Sequence, residues 1–204
     1  MRPCRLSIAL GCLASLLLAG SLRASTVAVY LQFDQPPARS SISEMKREIA
    51  ALMSPAGLSF DWLDLDQRRL GDAFPDLVIV KFRGICDTSA ALYGAYSPEA
   101  TAAAALANTA VIDGKVLPFS SIECDELRRY IAPLTQSDAH SDLALGRALG
   151  RVVAHEMFHI LASTRGHGGG VAHASQKASD LVAPHYAFDA RSTNLLRGYA
   201  EKLR

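Results

Sequence analysis

The residues best placed to do chemistry lie between Arg147 and His167, in the stretch RALGRVVAHEMFHILASTRGH. His155, Glu156 and His159 there form the pattern H-E-x-x-H. On a helix, residues four apart stand one above the other on a single face. His155 and His159 would then grip one metal ion from neighbouring turns. Two imidazoles suit Zn²⁺, which takes histidine nitrogen readily and prefers a tetrahedron. Glu156 sits beside the first histidine, where it can reach a metal-bound water without ligating the metal. That is the place of a general base in metal-assisted hydrolysis.

A catalytic zinc site keeps three protein ligands and one open position. The third ligand is expected at His167, eight residues after His159 and just beyond Gly166, a residue that lets the chain fold back. His173, His185, Asp180 and Asp189 compete for the role, and each also reads as an ordinary surface residue. His140 reads as a plain loop residue ahead of the helix.

These residues need a helix to hold them. Ser141 or Asp142 is its expected cap, and residues 166–170 (GHGGG) its expected stop. Val152, Val153, Met157, Phe158, Ile160 and Leu161 make the segment apolar almost all round, as in a helix buried within a core. Glu156 is the one carboxylate between Asp142 and Asp180. A carboxylate and two histidines on such a helix cost free energy unless paired or bound to metal. The plain alternative is a core helix whose histidines are satisfied by hydrogen bonds. The three glycines at 168–170 lack the Lys-Ser/Thr pair and the preceding strand of a phosphate cradle.

Upstream, residues 25–33 (STVAVYLQF) alternate as a first strand. Ser41 with Glu44 three residues on is a capping box, opening a helix to Met53 with Ile42, Met45, Ile49 and Leu52 on one stripe. Pro55 and Gly57 stop it. Residues 58–63 and 77–82 are two more strands, the latter expected at the centre of a sheet. Residues 93–97 and 109–113 are further strand candidates, with a turn at Gly114. The alanine-rich piece at 99–107 is a short helix or small-residue loop. Residues 124–131 are a helix closed by Pro133, 175–182 a short helical piece and 194–203 a C-terminal helix. The first half is thus an α/β layer.

The segment from Val152 to His167, with the strand-helix-strand layer before it, resembles the metzincin-type zinc metallopeptidases. The resemblance implies an α+β, metzincin-like (zincin) catalytic domain: a mixed β-sheet with a backing helix above the cleft, an active-site helix below it and a small C-terminal subdomain. It implies His155 and His159 as ligands and Glu156 as the base. The family pattern H-E-x-x-H-x-x-G-x-x-H has Gly and His where this chain has Ala162 and Arg165. Gly166 and His167 come later, so the helix is expected to run on about half a turn before reversing. No methionine follows Met157, so the family's Met-turn is absent or replaced.

The remaining sequence bounds the setting. Half of the 204 residues are hydrophobic, enough for one good core and short for two. Arg2 and Arg5 followed by the apolar run 6–19 read as a secretory signal cut after Ala24, with Ser21 as a second choice. The alternative is an uncleaved anchor. Cys12 sits in a poor lipoprotein-type box. The expected organisation is a signal peptide at 1–24 and a single zinc metallopeptidase-like domain at 25–204, secreted or periplasmic. No stable membrane span is expected after cleavage. Taking three arginines from 21 basic residues, against 20 acidic, leaves a mature net charge of −2. With no basic stripe, nucleic acid is not an expected partner. Cys86 and Cys124 remain as an even pair in an exported chain, so a disulfide is expected.

Together these readings describe a secreted Zn²⁺-dependent metalloendopeptidase acting on peptide or protein substrates. Zinc held by His155, His159 and His167 would activate a water, and Glu156 would take its proton. Tyr186 is a candidate assistant, and an edge strand could align an extended peptide. The rival reading is an exported non-catalytic zinc-binding or interaction module on a degenerate metallopeptidase fold.

Overall fold

Alternating β-branched and aromatic residues build the first element, β1 (Ser25–Phe33), where Val27, Val29 and Leu31 point into the core. The computed structural model describes residues 25–67, 76–88, 105–135 and 140–204. The expected signal peptide, the strand expected at 93–97 and most of the alanine-rich piece lie outside them. After β1 come α1 (Arg39–Met53), β2 (Leu58–Asp64), β3 (Leu77–Arg83), β4 (Ala107–Ile112) and β5 (Lys115–Glu123). Four helices follow: α2 (Cys124–Thr135), α3 (Ser141–Leu161), α4 (Ala178–Val182) and α5 (Ala190–Lys202).

The result is an α+β fold on one mixed five-stranded sheet of order β2-β1-β3-β5-β4. Among the described residues, β2, β1, β3 and β5 are parallel neighbours, and β4 alone is antiparallel, on the edge. β3 is central, as its LVIVKF run suggested. In-register pairs Val29↔Val78, Leu31↔Val80 and Phe33↔Phe82 place one apolar row beneath α1 and α3. Met45, Ile49 and Leu52 of α1 and Leu145, Leu149, Val152 and Val153 of α3 close that core.

β5 is the strand that pattern reading missed. KVLPFSSIE carries a proline and two serines, and Ile122 is its only fully buried apolar side chain. Proline is tolerated in a sheet at irregularities. Here β4 pairs Thr109↔Ser120 and then Val111↔Val116, so residues 117–119 of β5 bulge opposite Ala110 alone. Pro118 lies within that bulge, before β5 joins β3 at Ile79↔Phe119.

Four of the helix boundaries differ from expectation, and at the starts of α1 and α3 the reason is tertiary. Neither Ser41 nor Asp142 caps its helix; Ala38 and His140 hold those places without side-chain caps. Instead Ser40 Oγ donates to Asp142 Oδ2 at 2.8 Å and Ser41 Oγ to the Asp142 carbonyl at 3.0 Å. Thr88 also donates to Asp142. The starts of α1 and α3 lie side by side, and their polar groups bond across rather than along the chain. Glu44, released from the capping box, accepts two bonds from Arg47. α2 continues through Pro133 to Thr135. Asp189 caps α5 by accepting from the Ser192 amide at 2.7 Å, so that helix begins earlier than 194.

α1 and α3 run parallel and very close. A Cβ on Gly146 would lie 2.5 Å from the Ser41 carbonyl oxygen, and one on Gly150 would lie 2.7 Å from Glu48 Cβ. Farther along, Arg151 is 1% exposed and donates to Glu48 at 2.8 Å and to the Asp180 carbonyl at 2.5 Å. Cys86, after β3, is disulfide-bonded to Cys124 at the start of α2. A formed disulfide fits an oxidising compartment. Among the described residues no helix is long and apolar enough to cross a membrane.

Candidate metal centre

α3 is buried along most of its length, and its last two turns carry His155, Glu156 and His159. The turn after it brings in His167. The helix stops at Leu161, and the Ser163 amide donates to the Ile160 carbonyl (3.1 Å) while the Thr164 amide donates to that of His159 (3.0 Å). This is a Schellman closure, with Ser163 in the left-handed position (φ 47°) where glycine is usual. The reversal therefore comes three residues before Gly166, and the expected half-turn extension does not form. Pattern reading looked for a glycine, and Ser163 gave no such signal.

The reversal fixes the histidines. The Thr164 carbonyl lies 2.8 Å from His159 Nδ1, and the Val171 carbonyl lies 2.8 Å from His155 Nδ1. A carbonyl only accepts, so each Nδ1 carries the hydrogen and each Nε2 presents a bare lone pair. Those two Nε2 atoms face each other at 3.1 Å. His167 completes the group, its ring centroid 4.9 Å from that of His159 and 5.5 Å from that of His155. One donor atom from each of the three lies within 4.8 Å of the others.

This donor set fits a metal. Two lone pairs aimed at each other repel, and a cation bound by both turns the repulsion into two ligand bonds. Zn–N bonds of 2.0–2.1 Å in a tetrahedron separate two nitrogens by about 3.3 Å, close to the spacing here. Both imidazoles already donate their other nitrogen to a main-chain carbonyl, the usual outer support of a metal-bound histidine. The site also sits at the carbonyl end of α3, where the helix dipole favours positive charge. Burial holds the His155 imidazole down to about 4, helped by the neighbouring rings and opposed by the Val171 bond. Burial, with His159 and His173 nearby, also lowers His167. Neutral imidazole is the form that binds metal.

Glu156 is 6% exposed, and burial raises its carboxyl pKa. Its hydrogen-bond partner is Thr109 of β4, whose hydroxyl donates to Oε2 at 2.5 Å. Glu156 and the three histidines line one cavity of about 1060 Å³. The β4–β5 hairpin forms one wall through Leu106, Thr109, Val111 and Val116. α2 supplies another through Glu126, Arg129, Tyr130 and Pro133, and residues 173–176 a third. Tyr130 joins the last two by donating to the Gln176 carbonyl at 3.0 Å.

The competing ligands stand elsewhere. His173 lines the cavity, but it is exposed, with Nδ1 held by Ser175, and it is outside the convergent group. Asp180 lends its carbonyl to Arg151, Asp189 caps α5, and His185 is exposed on a loop. Tyr186 does not line the cavity. Its hydroxyl donates to the Gly170 carbonyl at 2.7 Å, and its ring lies 5.6 Å from the Arg151 guanidinium. The glycines at 168–170 serve close packing: a Cβ on Gly170 would strike the Ala187 carbonyl, and Gly169 donates its amide to Asp189. Sequence reasoning missed Thr109 and the α2 wall, because neither neighbours the motif along the chain.

No protein-family model, curated protein or solved structure matches the chain.

Proposed function

We propose that this chain is an exported zinc-dependent endopeptidase of metzincin-like build. The observation that carries the reading is the pair of Nε2 lone pairs 3.1 Å apart, with His167 beside them and a buried carboxyl on the next residue of the same helix. His155, His159 and His167 would hold the metal. Zinc bound there supplies a Lewis acid that polarises a peptide carbonyl and makes water more acidic. Three protein ligands leave one position open for that chemistry.

Glu156 then does the proton work. Its carboxylate takes a proton from the attacking water and passes it to the departing amine as the C–N bond breaks. A structural zinc site needs no such neighbour, and this favours the enzyme over a non-catalytic metal-binding module. Burial keeps the carboxyl a stronger base than one in water. Among the described residues β4 is the antiparallel edge strand along the cavity, so an extended peptide can pair with that edge and hang alternate side chains into the cavity. The disulfide and the signal-like N-terminus together support export.

The test is Glu156→Gln in the zinc-loaded protein, assayed on unfolded protein substrates with metal content measured in parallel. Zinc should remain at one per chain while hydrolysis falls by about 10²-fold or more. Undiminished hydrolysis would remove Glu156 from the mechanism. Absence of hydrolysis by the unmodified, zinc-loaded protein would favour the binding module.

A further inference from the structure

Glu156 has two carboxylate oxygens, and a base that must meet a water at one fixed place needs one of them held. Thr109 does the holding. Its Oγ1 lies 2.5 Å from Glu156 Oε2 and 3.3 Å from the main-chain carbonyl of the same residue. This bond links the edge strand to the catalytic helix across 47 positions of sequence. Thr109 is also the last β4 residue in register before the bulge at residues 117–119 of β5. A bulge sharpens the local twist and re-aims the side chains beside it. Thr109 is only partly buried and contributes to the cavity wall, so its hydroxyl is no core-filling group.

From this juxtaposition we infer that Thr109 is a positioning residue for the general base. The inference rests on the peptidase reading. Thr109 fixes Oε2 and leaves Oε1 to meet the attacking water. As the water's O–H bond breaks, its proton goes to Oε1, its electron pair forms the new bond to the carbonyl carbon, and the C=O π pair moves onto the carbonyl oxygen. That proton sits on Oε1, so Oε2 remains an acceptor and the Thr109 hydroxyl goes on donating to it. It keeps a partner throughout the transfer, and the carboxyl keeps its orientation. Misplacing a base by about 1 Å can lower the rate about 10²-fold, and a loss felt only in the transition state leaves KM unchanged.

The experiment compares Thr109→Val and Thr109→Ser with the unmodified protein, all zinc-loaded. Valine keeps the β-branched shape that suits a strand and removes only the hydroxyl. Two readouts are taken. One is the carboxyl resonance of Glu156 in protein carrying isotope-labelled glutamate, assigned by its loss in Glu156→Gln. The other is kcat and KM on a fluorogenic peptide mixture. In Thr109→Val the Glu156 resonance should move, and kcat should fall about 10–100-fold with KM within about twofold. Thr109→Ser should restore both, with zinc content equal in all three. An unmoved resonance, or a serine variant that behaves like valine, overturns the assignment. If the unmodified protein hydrolyses nothing, the peptidase reading fails, and with it the catalytic purpose given to Thr109; the resonance then still decides whether Thr109 holds the carboxyl.

Discussion

Replacing Gly146 by alanine should destabilise this protein, while the same replacement at Gly198 should stabilise it. Both glycines sit inside helices, where alanine is favoured over glycine by about 0.8–1 kcal/mol. Gly198 of α5 has nothing within 4 Å of the position a Cβ would take, so that gain should be realised. At Gly146 the new Cβ would lie 2.5 Å from the Ser41 carbonyl oxygen and 2.6 Å from Glu44 Cβ. Neither atom can swing away, since one is backbone and the other is the first atom of a side chain tied to Arg47. The parallel pair α1 and α3 must open by roughly 0.5–1 Å, and overpacking of this kind costs about 1–3 kcal/mol. Taking the upper end, because the contact is with main chain, and subtracting the helical gain leaves a loss of about 2 kcal/mol. For a chain of this size each kcal/mol moves Tm by about 2–4 °C, so Gly146→Ala should lower Tm by about 4–8 °C and Gly198→Ala should raise it by about 2–4 °C. Thermal unfolding followed by circular dichroism on metal-free protein reads both. The opening also shifts the helix that bears His155, Glu156 and His159, so the Gly146 variant should bind zinc more weakly. Equal behaviour of the two variants would refute the close α1–α3 contact and the account of how the fold positions its histidine cluster.

Two further outcomes follow from the centre itself. His167→Ala should weaken zinc binding at least 10-fold, read by competition with a chelating dye, while leaving metal-free stability within about 0.5 kcal/mol because His167 is an exposed loop residue; unchanged affinity would move the third ligand to His173. Acid should act through His155. Its folded pKa of about 4 lies below the ordinary imidazole value near 6.5, so the unfolded chain takes up the proton first as pH falls. The contribution of this residue is fully present above pH 6.5 and is lost between there and pH 4, by at most about 3 kcal/mol. Denaturant midpoints of metal-free protein across that window should fall more steeply than those of His155→Gln, and parallel curves would contradict a buried neutral His155.

Much of this molecule could be read from local spacing. A helix repeats every 3.6 residues, so H-E-x-x-H placed His155 and His159 on one face before any fold was known. Alternation marked β1 and the apolar run marked β3, because each strand keeps one buried face. Cys86 and Cys124 paired as the two cysteines expected to remain after export. His167 lay within a short loop of the helix end, so its approach needed only a reversal.

The fold itself decided the rest. β5 is a strand because β3 and β4 flank it, which outweighs a proline and two serines. Ser41 and Asp142 have the chemistry of caps, but the pressing together of α1 and α3 gave them nearer partners. The reversal came at Ser163, where the bonds of the Schellman closure and the His159–Thr164 contact support a left-handed residue without glycine. Which proton each imidazole keeps depends on carbonyls at Val171 and Thr164, and the hold on Glu156 depends on Thr109. Motif spacing is a property of one helix, whereas the Thr109–Glu156 and His155–Val171 bonds exist only once the chain has closed and brought those distant residues within hydrogen-bond reach.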